Sequence, residues 1–281
     1  MILDHIMTIA VLMTCFNRVE TSLCCLRHLF ACERPEGMTL EVWLVDDASP
    51  DGTGLKVKMA YPTVNIVPGT GKLYWCGGMR LAWNTASNAK DYDGYLWLND
   101  DTHLYRNALI ILDHAIRQLK RDRSNPGLIV GAVCDPATKN TTYGVTGHPP
   151  KKPDGTIYRI KAKETINGNV VWVTRETWMK LGNLRSCFTH GMGDTDYGIR
   201  AQRMKIPVWL APDHVGECKV DDSSKWDHCS NTILERLRLL HSPKGCRPKE
   251  FAQMAKLIHP FTWPLYIVKL YARAIFSMRL K

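Results

Sequence analysis

Strand-like apolar segments alternate with helical segments through the first half of the chain. The predicted strands are 7–13, 40–45, 63–67, 95–98 and 128–133. Apolar residues at helical spacing predict helices between them, such as the one at 107–120. Strands that alternate with helices favour right-handed crossovers and a mainly parallel sheet covered by helices on both faces. The predicted fold class is therefore α/β and Rossmann-like.

The second half of the chain is organised differently. Residues 135–163 are rich in Pro, Gly, Lys and Thr, which predicts a hairpin or loop excursion. Further elements are predicted as strands at 169–173 and 207–211 and as helices at 175–181 and 194–204. Beyond about residue 220 the sequence is polar and then helical. We therefore predict one domain at 1–220 and a helical extension at 221–281.

Two carboxylates follow directly after a strand-like apolar run. The run GYLWL at 94–98 leads into Asn99, Asp100 and Asp101. Ligands of open α/β sheets bind at the carboxyl edge of the strands. Carboxylate oxygens at such an edge can hold Mg²⁺ or Mn²⁺ against a diphosphate. The sequence therefore predicts chemistry on a nucleotide-linked group.

The chain is basic, with a formal net charge of +10 from 37 Lys and Arg against 27 Asp and Glu. A basic surface suits nucleotide diphosphates, nucleic acid or anionic lipid. Nucleic-acid binding is the least favoured of these, because the basic residues are scattered and no recognised nucleic-acid motif is present.

Ten cysteines are present, without a CxxC pair. Several lie in apolar runs, which favours reduced, buried thiols in a cytosolic protein. One His/Cys group fits no common zinc spacing, namely His214, Cys218, His228 and Cys229. The N-terminal apolar segment contains Asp4 and His5 and lacks a basic leader, so we predict a first strand rather than a signal peptide. No apolar stretch reaches the ~20 residues of a membrane span.

Four stretches together resemble family 2 glycosyltransferases with the GT-A fold. They are TCFNR at 14–18, VDDASPDGT at 45–53, NDD at 99–101 and GDTDY at 193–197. The second is the most specific, because Asp-Asp-Ala-Ser closes the second predicted strand as the nucleotide site of that family does. The segment LYWCGGMR at 73–80 is similar to the part that family members have beside the donor. The resemblance covers residues 7 to 215 and implies nucleotide-sugar-dependent glycosyl transfer.

The resemblance implies a donor site at the ends of the first two strands. Thr14 would offer a hydroxyl to ribose or base, and Asp46 or Asp47 would accept from a pyrimidine N–H or a ribose hydroxyl. The alternative for the two acids is an Asp–Ser turn that caps the next helix. The residues expected to contact the donor are Thr14, Asn17, Arg18, Asp46, Asp47, Gly77, Gly78, Arg80 and Asp100.

Gly77 and Gly78 stand before a helix predicted at 79–89. Free amides and the helix dipole at such a position favour an anion such as the diphosphate, and Arg80 adds positive charge. The alternative is a plain strand-to-helix turn.

The family motif at the metal site is Asp-x-Asp, and this chain has Asn99 in the first position. Asn offers a neutral carbonyl oxygen, so the expected affinity for Mn²⁺ or Mg²⁺ is lower. Asp101 is the strongest expected ligand, and Asp100 is expected to face ribose or sugar. Some family members use a histidine at the position of His214, for which a structural role is the alternative.

Inverting glycosyl transfer needs a base opposite the leaving diphosphate, and the resemblance gives this role to Asp194. Asp196 is expected to orient a sugar hydroxyl. Helix capping and pairing with the helix dipole are the alternatives for these two acids. Trp172 and His190 are expected to line the acceptor site, and burial in the core is the alternative for both.

The tail at 259–276 combines aromatic and aliphatic residues with Lys269 and Arg273. Such a helix can lie in the headgroup layer of a membrane. The alternative is a helix packed on the domain or on a second copy of the chain.

These features together predict an inverting, metal-dependent transferase. It would move a sugar from a nucleotide diphosphate to a hydroxyl of a polysaccharide, lipopolysaccharide or lipid-linked glycan. The expected location is the cytoplasm, with peripheral attachment to the inner face of the membrane as a further expectation. The alternatives are a nucleotidyltransferase and a protein that binds sugar nucleotides without catalysis. Homo-oligomer formation is left open.

Overall fold

The computed structural model describes residues 6–147, 150–162, 164–220 and 232–276. The strands are Met7–Cys15 (β1), Met38–Asp46 (β2), Asn65–Pro68 (β3), Gly94–Leu98 (β4), His103–Leu104 (β5), Leu128–Cys134 (β6), Thr141–Tyr143 (β7), Tyr158–Arg159 (β8), Val170–Thr174 (β9) and Val208–Glu217 (β10). The helices are Val19–Phe30 (α1), Thr53–Ala60 (α2), Tyr74–Ala89 (α3), Ala108–Arg121 (α4), Arg175–Leu181 (α5), Gly193–Arg203 (α6), Ile233–Leu240 (α7), Pro248–Ile258 (α8) and Trp263–Phe276 (α9).

A ten-stranded sheet has the order β3-β2-β1-β4-β9-β6-β10-β5, with β7 beside β6 and β8 beside β10. The neighbours β3, β2, β1 and β4 are parallel, and β6 is parallel to β10. Strand β9 runs antiparallel between β4 and β6. The prediction of an α/β fold with a mainly parallel sheet is therefore confirmed. The strand in its middle was predicted at 169–173, but its antiparallel direction was not.

Strand β1 is apolar on both faces, which explains its central position in the sheet. Ile9, Val11 and Met13 belong to one hydrophobic core, whereas Ala10 and Leu12 belong to the other. Alternate residues of a strand point to opposite faces of the sheet. Helices α1 and α4 contribute to the first core, and α3 and α6 contribute to the second. Helices therefore pack against both faces of the sheet and hold its strands in place.

Several predicted elements occur with shifted ends. Helix α3 begins at Tyr74 rather than at residue 79, and β10 continues to Glu217 rather than ending at 211. The excursion at 135–163 carries the short strands β7 and β8, which pair with β6 and β10.

The C-terminal helices α7 to α9 form a small core of their own around Leu240, Leu270 and Ala274. A buried carboxylate at the start of α8 joins this unit to the loop before α6, because Glu250 accepts the N–H and the hydroxyl of Thr189 at 3.0 and 2.7 Å. The first residues of the predicted extension, 221–231, lie outside the described residues, as do 277–281. None of the described helices combines the length and the apolar character needed to cross a membrane. The domain boundary near 220 stays a prediction.

Candidate functional site

The carboxyl ends of β1, β2 and β4 meet at one edge of the sheet. Cys15, the last residue of β1, is in register with Asp46 at the end of β2, and β4 is the parallel neighbour on the other side of β1. The turns that follow these strands therefore lie side by side. The three sequence stretches at 14–18, 45–53 and 99–101 are brought together in this way.

Asp46 and Asp47 are both held by backbone amides. Asp46 accepts the N–H of Ser49 at 3.1 Å with one oxygen and the N–H of Gly54 at 3.0 Å with the other, at the start of α2. Asp47 is buried and accepts four N–H groups of the loop before α3. Its donors, at 2.7 to 3.1 Å, are Thr70, Gly71, Leu73 and Tyr74. A carboxylate has about four acceptor positions, so Asp47 is saturated whereas Asp46 keeps capacity for a ligand.

Thr14 lies against Gly78 of α3. A Cβ at Gly78 would come within 2.0 Å of Thr14 Oγ1, so glycine is what lets α3 approach β1 here. The N–H of Gly77 already donates to the carbonyl of Leu73 at 3.1 Å. The expected anion site at free glycine amides is therefore corrected, because both glycines lie inside a helix that begins at Tyr74.

Arg80 has structural partners instead of the expected donor contact. Its Nη1 donates to the main-chain carbonyls of Arg185 and Phe188 at 3.0 and 2.8 Å. The guanidinium thereby holds the loop that leads into α6. This finding corrects the expectation that Arg80 adds charge to a diphosphate site.

The loop after β1 is fixed by two hydroxyl groups. The N–H of Asn17, a residue with φ of 54°, donates to Ser49 Oγ at 2.9 Å. The N–H of Arg18 donates to Thr53 Oγ1 at 3.2 Å. These contacts hold Asn17 and Arg18 at the sheet edge and direct the Arg18 side chain toward the turn after β4.

Two carboxylate oxygens converge on one cationic atom at the turn formed by residues 99–101, which we call the acid turn. Arg18 Nη1 lies 2.9 Å from Asp100 Oδ1 and 3.1 Å from Asp101 Oδ2. Oxygens of adjacent residues thus share a single positive charge. A divalent cation with oxygen ligands requires the same convergence. The carboxylates of Asp100 and Asp101 therefore fit Mn²⁺ or Mg²⁺.

The two carboxylates of the acid turn differ in exposure. Asp100 is only 6% exposed, and burial raises the pKa of its carboxyl to about 6, although Arg18 opposes the rise. Its second oxygen accepts the hydroxyl of Ser22 at 3.3 Å. The Asp101 side chain is 35% exposed, which suits the ligand role expected of it.

Asn99 is engaged by an indole. Its Oδ1 accepts the Nε1–H of Trp75 at 2.7 Å. The oxygen that was expected to face the cation therefore serves Trp75. An amide oxygen has two lone pairs, so the ligand role of Asn99 stays a prediction beside those of Asp100 and Asp101.

His214 lies away from the acid turn. Its Nε2 is 2.9 Å from Thr141 Oγ1, and burial lowers the pKa of its ring. Cys218, four residues further along, is the residue beside the turn, with Sγ 3.6 Å from Asp101 Oδ1. A strand rises about 3.3 Å per residue, so His214 is on the order of 10 Å from that position. The contact with Thr141 favours a structural role for His214, and its ligand role stays a prediction.

Asp194 lies in the first turn of α6. Its Oδ2 accepts the N–H of Gly168 at 2.9 Å, and its Oδ1 accepts the N–H of Thr195 at 2.7 Å. Burial raises the pKa of the Asp194 carboxyl, although these two N–H groups oppose the rise. A carboxylate with a raised pKa is better matched to accepting a proton near neutral pH.

Trp75 and the neighbours Gly168 and Asn169 connect the acid turn to Asp194. The indole packs on Gly168, where a Cβ would lie 2.5 Å from Cζ2 of Trp75. The N–H of Gly168 is bound to Asp194, and the carbonyl of Asn169 accepts the N–H of Asn99 at 3.0 Å. Gly168 and Asn169 are consecutive, with Cα atoms about 3.8 Å apart. The same short segment therefore binds both Asp194 and the acid turn.

Asp196 is fully buried between two arginines. Its Oδ1 lies 2.5 Å from Arg185 Nη2, and its Oδ2 lies 2.9 Å from Arg200 Nε. A carboxylate in this position cannot reach a sugar hydroxyl. The expected acceptor contact is therefore corrected to a structural ion pair that holds α6.

Trp172 and His190 differ in their suitability for an acceptor site. Trp172 is buried in the middle of β9, in register with Leu96 and Ile129, which corrects its expected role to a core residue. His190 stands edge-on to Tyr74, with ring centroids 6.3 Å apart. Its Nδ1 is buried without a hydrogen-bond partner among the described residues, and burial lowers the pKa of the ring. A neutral ring with a free nitrogen can bind a sugar hydroxyl.

Sequence reasoning missed four residues at the site, namely Trp75, Gly168, Asn169 and Cys218. Trp75 lies within the donor-like segment 73–80 and is the only one that a local signal could have identified. The other three reach the site through partners that are remote in the chain.

Comparison with solved structures finds the same fold. Mannosyltransferase PcManGT from Pyrobaculum calidifontis, in complex with GDP-Man and Mn²⁺, is 18% identical with a TM-score of 0.57, over 96% of this chain and 74% of that chain. S. aureus TarS 1–349 in complex with UDP-GlcNAc is 12% identical with a TM-score of 0.59, over 96% and 82% of the two chains. The same protein in complex with UDP gives 12% identity and a TM-score of 0.61, over 98% and 76%.

The sequence matches no protein-family model and no curated protein. The comparison with solved structures, together with the sheet order and the strand-end turns, nevertheless decides the architecture. The chain has the GT-A fold, as the four sequence stretches predicted.

Proposed function

We propose that this chain transfers a sugar from a nucleotide diphosphate to an acceptor hydroxyl, with inversion at the anomeric carbon. The observation that carries the proposal is the connection from the acid turn through Trp75 and Gly168 to Asp194. A sugar that leaves its diphosphate needs stabilisation of negative charge on one side and a base for the acceptor on the other. The two sets of groups stand at one sheet edge, with an indole between them.

The nucleotide would lie over the ends of β1 and β2. Asp46 keeps acceptor capacity beyond its two backbone N–H partners, and Thr14 and Asn17 border the same edge. Arg18 would contact the diphosphate, because a guanidinium binds phosphate oxygens well. PcManGT was solved with GDP-Man and TarS with UDP-GlcNAc, which supports a nucleotide-sugar donor for this fold.

Asp101 and Asp100 would hold a divalent cation, for which the Mn²⁺ of the PcManGT complex is further support. A bound Mn²⁺ or Mg²⁺ neutralises negative charge on a diphosphate. Arg18 bridges the two carboxylates and would have to release at least one of them. Its side chain would then be available to the diphosphate.

Asp194 would act as the base. The acceptor oxygen attacks the anomeric carbon, the bond from that carbon to the diphosphate oxygen breaks, and the acceptor proton passes to the Asp194 carboxylate. The N–H groups of Gly168 and Thr195 hold this carboxylate in a fixed orientation. His190, with its free Nδ1, is the proposed contact for a hydroxyl of the sugar or the acceptor.

An outward apolar stripe on the C-terminal unit supports an acceptor at a membrane surface. Four large apolar residues recur at helical spacing with high exposure, namely Phe261 (95%), Leu265 (59%), Val268 (66%) and Phe276 (67%). Leu270 and Ala274 bury the opposite side of α9. Positive charge lies beside aromatic rings of this unit, since Lys256 lies over the Trp263 ring and Lys269 over the Tyr266 ring.

Aromatic rings with neighbouring cations suit the headgroup layer of an anionic membrane. We therefore propose peripheral attachment to a membrane and a lipid-linked glycan or polysaccharide as the acceptor. The division at about residue 220 into a GT-A domain and a membrane-contacting extension is part of the same proposal.

Two alternatives make different predictions. A protein that binds sugar nucleotides without catalysis would bind a donor without releasing nucleoside diphosphate, and the engagement of Asn99 by Trp75 is the observation in its favour. A nucleotidyltransferase would use a glycine-rich basic loop after β1, and the segment TCFNR at 14–18 contains no glycine.

The test of the proposal is a thermal-shift screen of the full chain with UDP-, GDP- and dTDP-sugars, with and without Mn²⁺. One donor should raise the Tm only when Mn²⁺ is present, because a ligand that binds the folded state alone stabilises it. The same donor should have no effect on Asp101→Ala but its usual effect on Asp213→Ala, an exposed carboxylate outside the site. A rise of equal size in Asp101→Ala, or no rise with any nucleotide sugar, would contradict the proposal.

A further inference from the structure

One thiol and two imidazoles form a compact cluster outside the site described above. The ligand atoms of Cys24, His28 and His103 lie within 4.8 Å of one another, and all three side chains are partly exposed. Cys24 and His28 are four residues apart on α1 and therefore share a helix face. His103 opens β5. The spacing of Cys and His residues along the sequence does not reveal this cluster, because its ligands come from two segments far apart in the chain.

A hydrogen bond orients one imidazole of the cluster. His28 Nδ1 lies 3.2 Å from the carbonyl oxygen of Leu104, the neighbour of His103. A carbonyl oxygen can only accept, so Nδ1 carries the proton and Nε2 keeps its lone pair for a ligand. The two rings stack with centroids 4.8 Å apart and planes inclined by 7°, so their nitrogen lone pairs point side by side. The His103 ring must therefore turn out of the stack for both rings to reach one ion. Metal-binding histidines are commonly oriented by such a bond to a backbone carbonyl.

The cluster borders a cavity of about 520 Å³ that could hold a fourth ligand. Cys24 and His103 line this cavity together with Glu20 and Glu217. Glu217 is already bound by the Tyr105 hydroxyl at 3.0 Å and by Lys139. Glu20 stands four residues before Cys24 on the same helix, so its side chain shares that helix face. Asp101 of the acid turn lines the same cavity. A fourth position is therefore open to Glu20, to Asp101 or to water.

We propose that Cys24, His28 and His103 bind a Zn²⁺ ion, with the fourth position open to the cavity. A thiolate with two imidazoles is a donor set that Zn²⁺ accepts, whereas Mg²⁺ and Mn²⁺ favour oxygen ligands. Bonds of about 2.0 to 2.3 Å in a tetrahedron keep the ligand atoms roughly 3.3 to 3.8 Å apart. The present separations of up to 4.8 Å exceed this range, so binding of the ion requires the ligand atoms to move closer together as the His103 ring turns.

The zinc ion would tie α1 to β5 on either side of the acid turn. Ser22 of α1 donates to Asp100, and His103 follows Asp101 by two residues. Fixing these two elements therefore restricts the position of both carboxylates. The zinc site differs from the proposed Mn²⁺ or Mg²⁺ site in its donor atoms, and its occupation requires no nucleotide. Its test is accordingly independent of glycosyl transfer.

The experiment uses the full chain after removal of metals with EDTA. Zn²⁺ uptake is measured by competition with a chromophoric chelator, and Co²⁺ is used as a spectroscopic substitute. We expect one tightly bound Zn²⁺ per chain and a Co²⁺ spectrum with a thiolate charge-transfer band. Cys24→Ser should lose that band, and His28→Gln and His103→Gln should each weaken Zn²⁺ binding at least about tenfold.

The matched controls are Cys187→Ser and His114→Gln, which remove an exposed thiol and an exposed imidazole elsewhere. Both should bind Zn²⁺ as the parent does. Zn²⁺ should also raise the Tm of the parent and of these controls, and it should raise the Tm of the three ligand variants less at the same concentration. The metal-free Tm of each variant reports whether it folds. The proposal is overturned if the parent takes up no Zn²⁺ or if the ligand variants bind it like the parent. It is equally overturned if the thiolate band persists in Cys24→Ser and disappears in Cys218→Ser.

Discussion

Arg18 Nη1 lies 2.9 Å from Asp100 Oδ1, and the same nitrogen lies 3.1 Å from the adjacent Asp101. The pKa of the Arg18 guanidinium is raised, chiefly by the charge of Asp100, so Arg18 carries its full positive charge at neutral pH. The proposed divalent cation would share the same two carboxylates. Arg18 and the cation are therefore competitors until a nucleotide supplies further negative charge.

Removing Arg18 should tighten the binding of Mn²⁺ in the absence of nucleotide. Arg18→Ala frees two carboxylate oxygens and removes a like charge close to the cation, so we expect about a tenfold gain in affinity at pH 8. The measurement is a titration in which free Mn²⁺ is followed by electron paramagnetic resonance. Arg106→Ala, which breaks an exposed pair with Glu33, is the control and should leave the affinity unchanged. Unchanged or weaker binding by Arg18→Ala would refute the competition.

Asp194→Asn should retain donor binding and lose transfer. The amide has nearly the same shape but cannot take the acceptor proton, so we expect a fall in kcat of about 10²- to 10⁴-fold. Donor affinity is measured by calorimetry and turnover by release of nucleoside diphosphate. Asp135→Asn is the matched control, because Asp135 also accepts two backbone N–H groups but lies in an exposed turn. Turnover of Asp194→Asn at the parental rate would remove Asp194 as the base.

The acidic limb of the pH profile should reflect Asp194. Transfer needs the ionised carboxylate, so the rate rises with pH, and burial shifts the midpoint above the ordinary value of about 3.9 for Asp. Burial raises the pKa of Asp100 to about 6, and we expect the ionisation of this carboxyl to affect the binding of metal and donor. The profile of kcat at saturating donor therefore isolates Asp194. The residual activity of Asp194→Asn should lack this limb, and an identical limb in the variant would count against the prediction.

Asp196→Ala should destabilise the fold rather than change acceptor affinity. It leaves Arg185 and Arg200 without the buried carboxylate between them, which typically costs about 3 kcal/mol or more. Chemical denaturation measures the free energy of unfolding of the variant. Asp91→Ala is the control, because its ion pair with Arg175 is exposed and contributes little. A variant of parental stability with weakened acceptor binding would restore the acceptor role of Asp196.

The apolar stripe on α9 should determine membrane binding. The double change Leu265→Asp and Val268→Asp puts two charges on the face proposed to enter the headgroup layer. In flotation with phosphatidylglycerol-containing vesicles, the parent should be recovered in the lipid fraction and the double variant in the unbound fraction. Leu55→Asp changes a leucine of similar exposure on α2 and should float like the parent. The membrane contact is refuted if the parent fails to float or if the double variant floats equally well.

The fold was predictable from the sequence because its signals are local. Apolar periodicity and turn residues identified β1, β2, β4 and β6 and the helices between them. The order of the four stretches at the strand ends then indicated the GT-A fold. The antiparallel direction of β9 could not be predicted in this way, because the direction in which a strand pairs depends on its neighbours in the sheet and not on its own residues.

The amino-acid sequence by itself determined that carboxylates would stand at the ends of parallel strands, because strand length and turn chemistry are set by neighbouring residues. Only the tertiary structure decided which of them are free to act. Asp196 is buried between two arginines, and Asn99 accepts the indole N–H of Trp75, whereas the Asp101 side chain is 35% exposed. The reason is physical: whether a carboxylate is open or saturated depends on donors that other parts of the chain bring to it, and these meet only in the folded molecule.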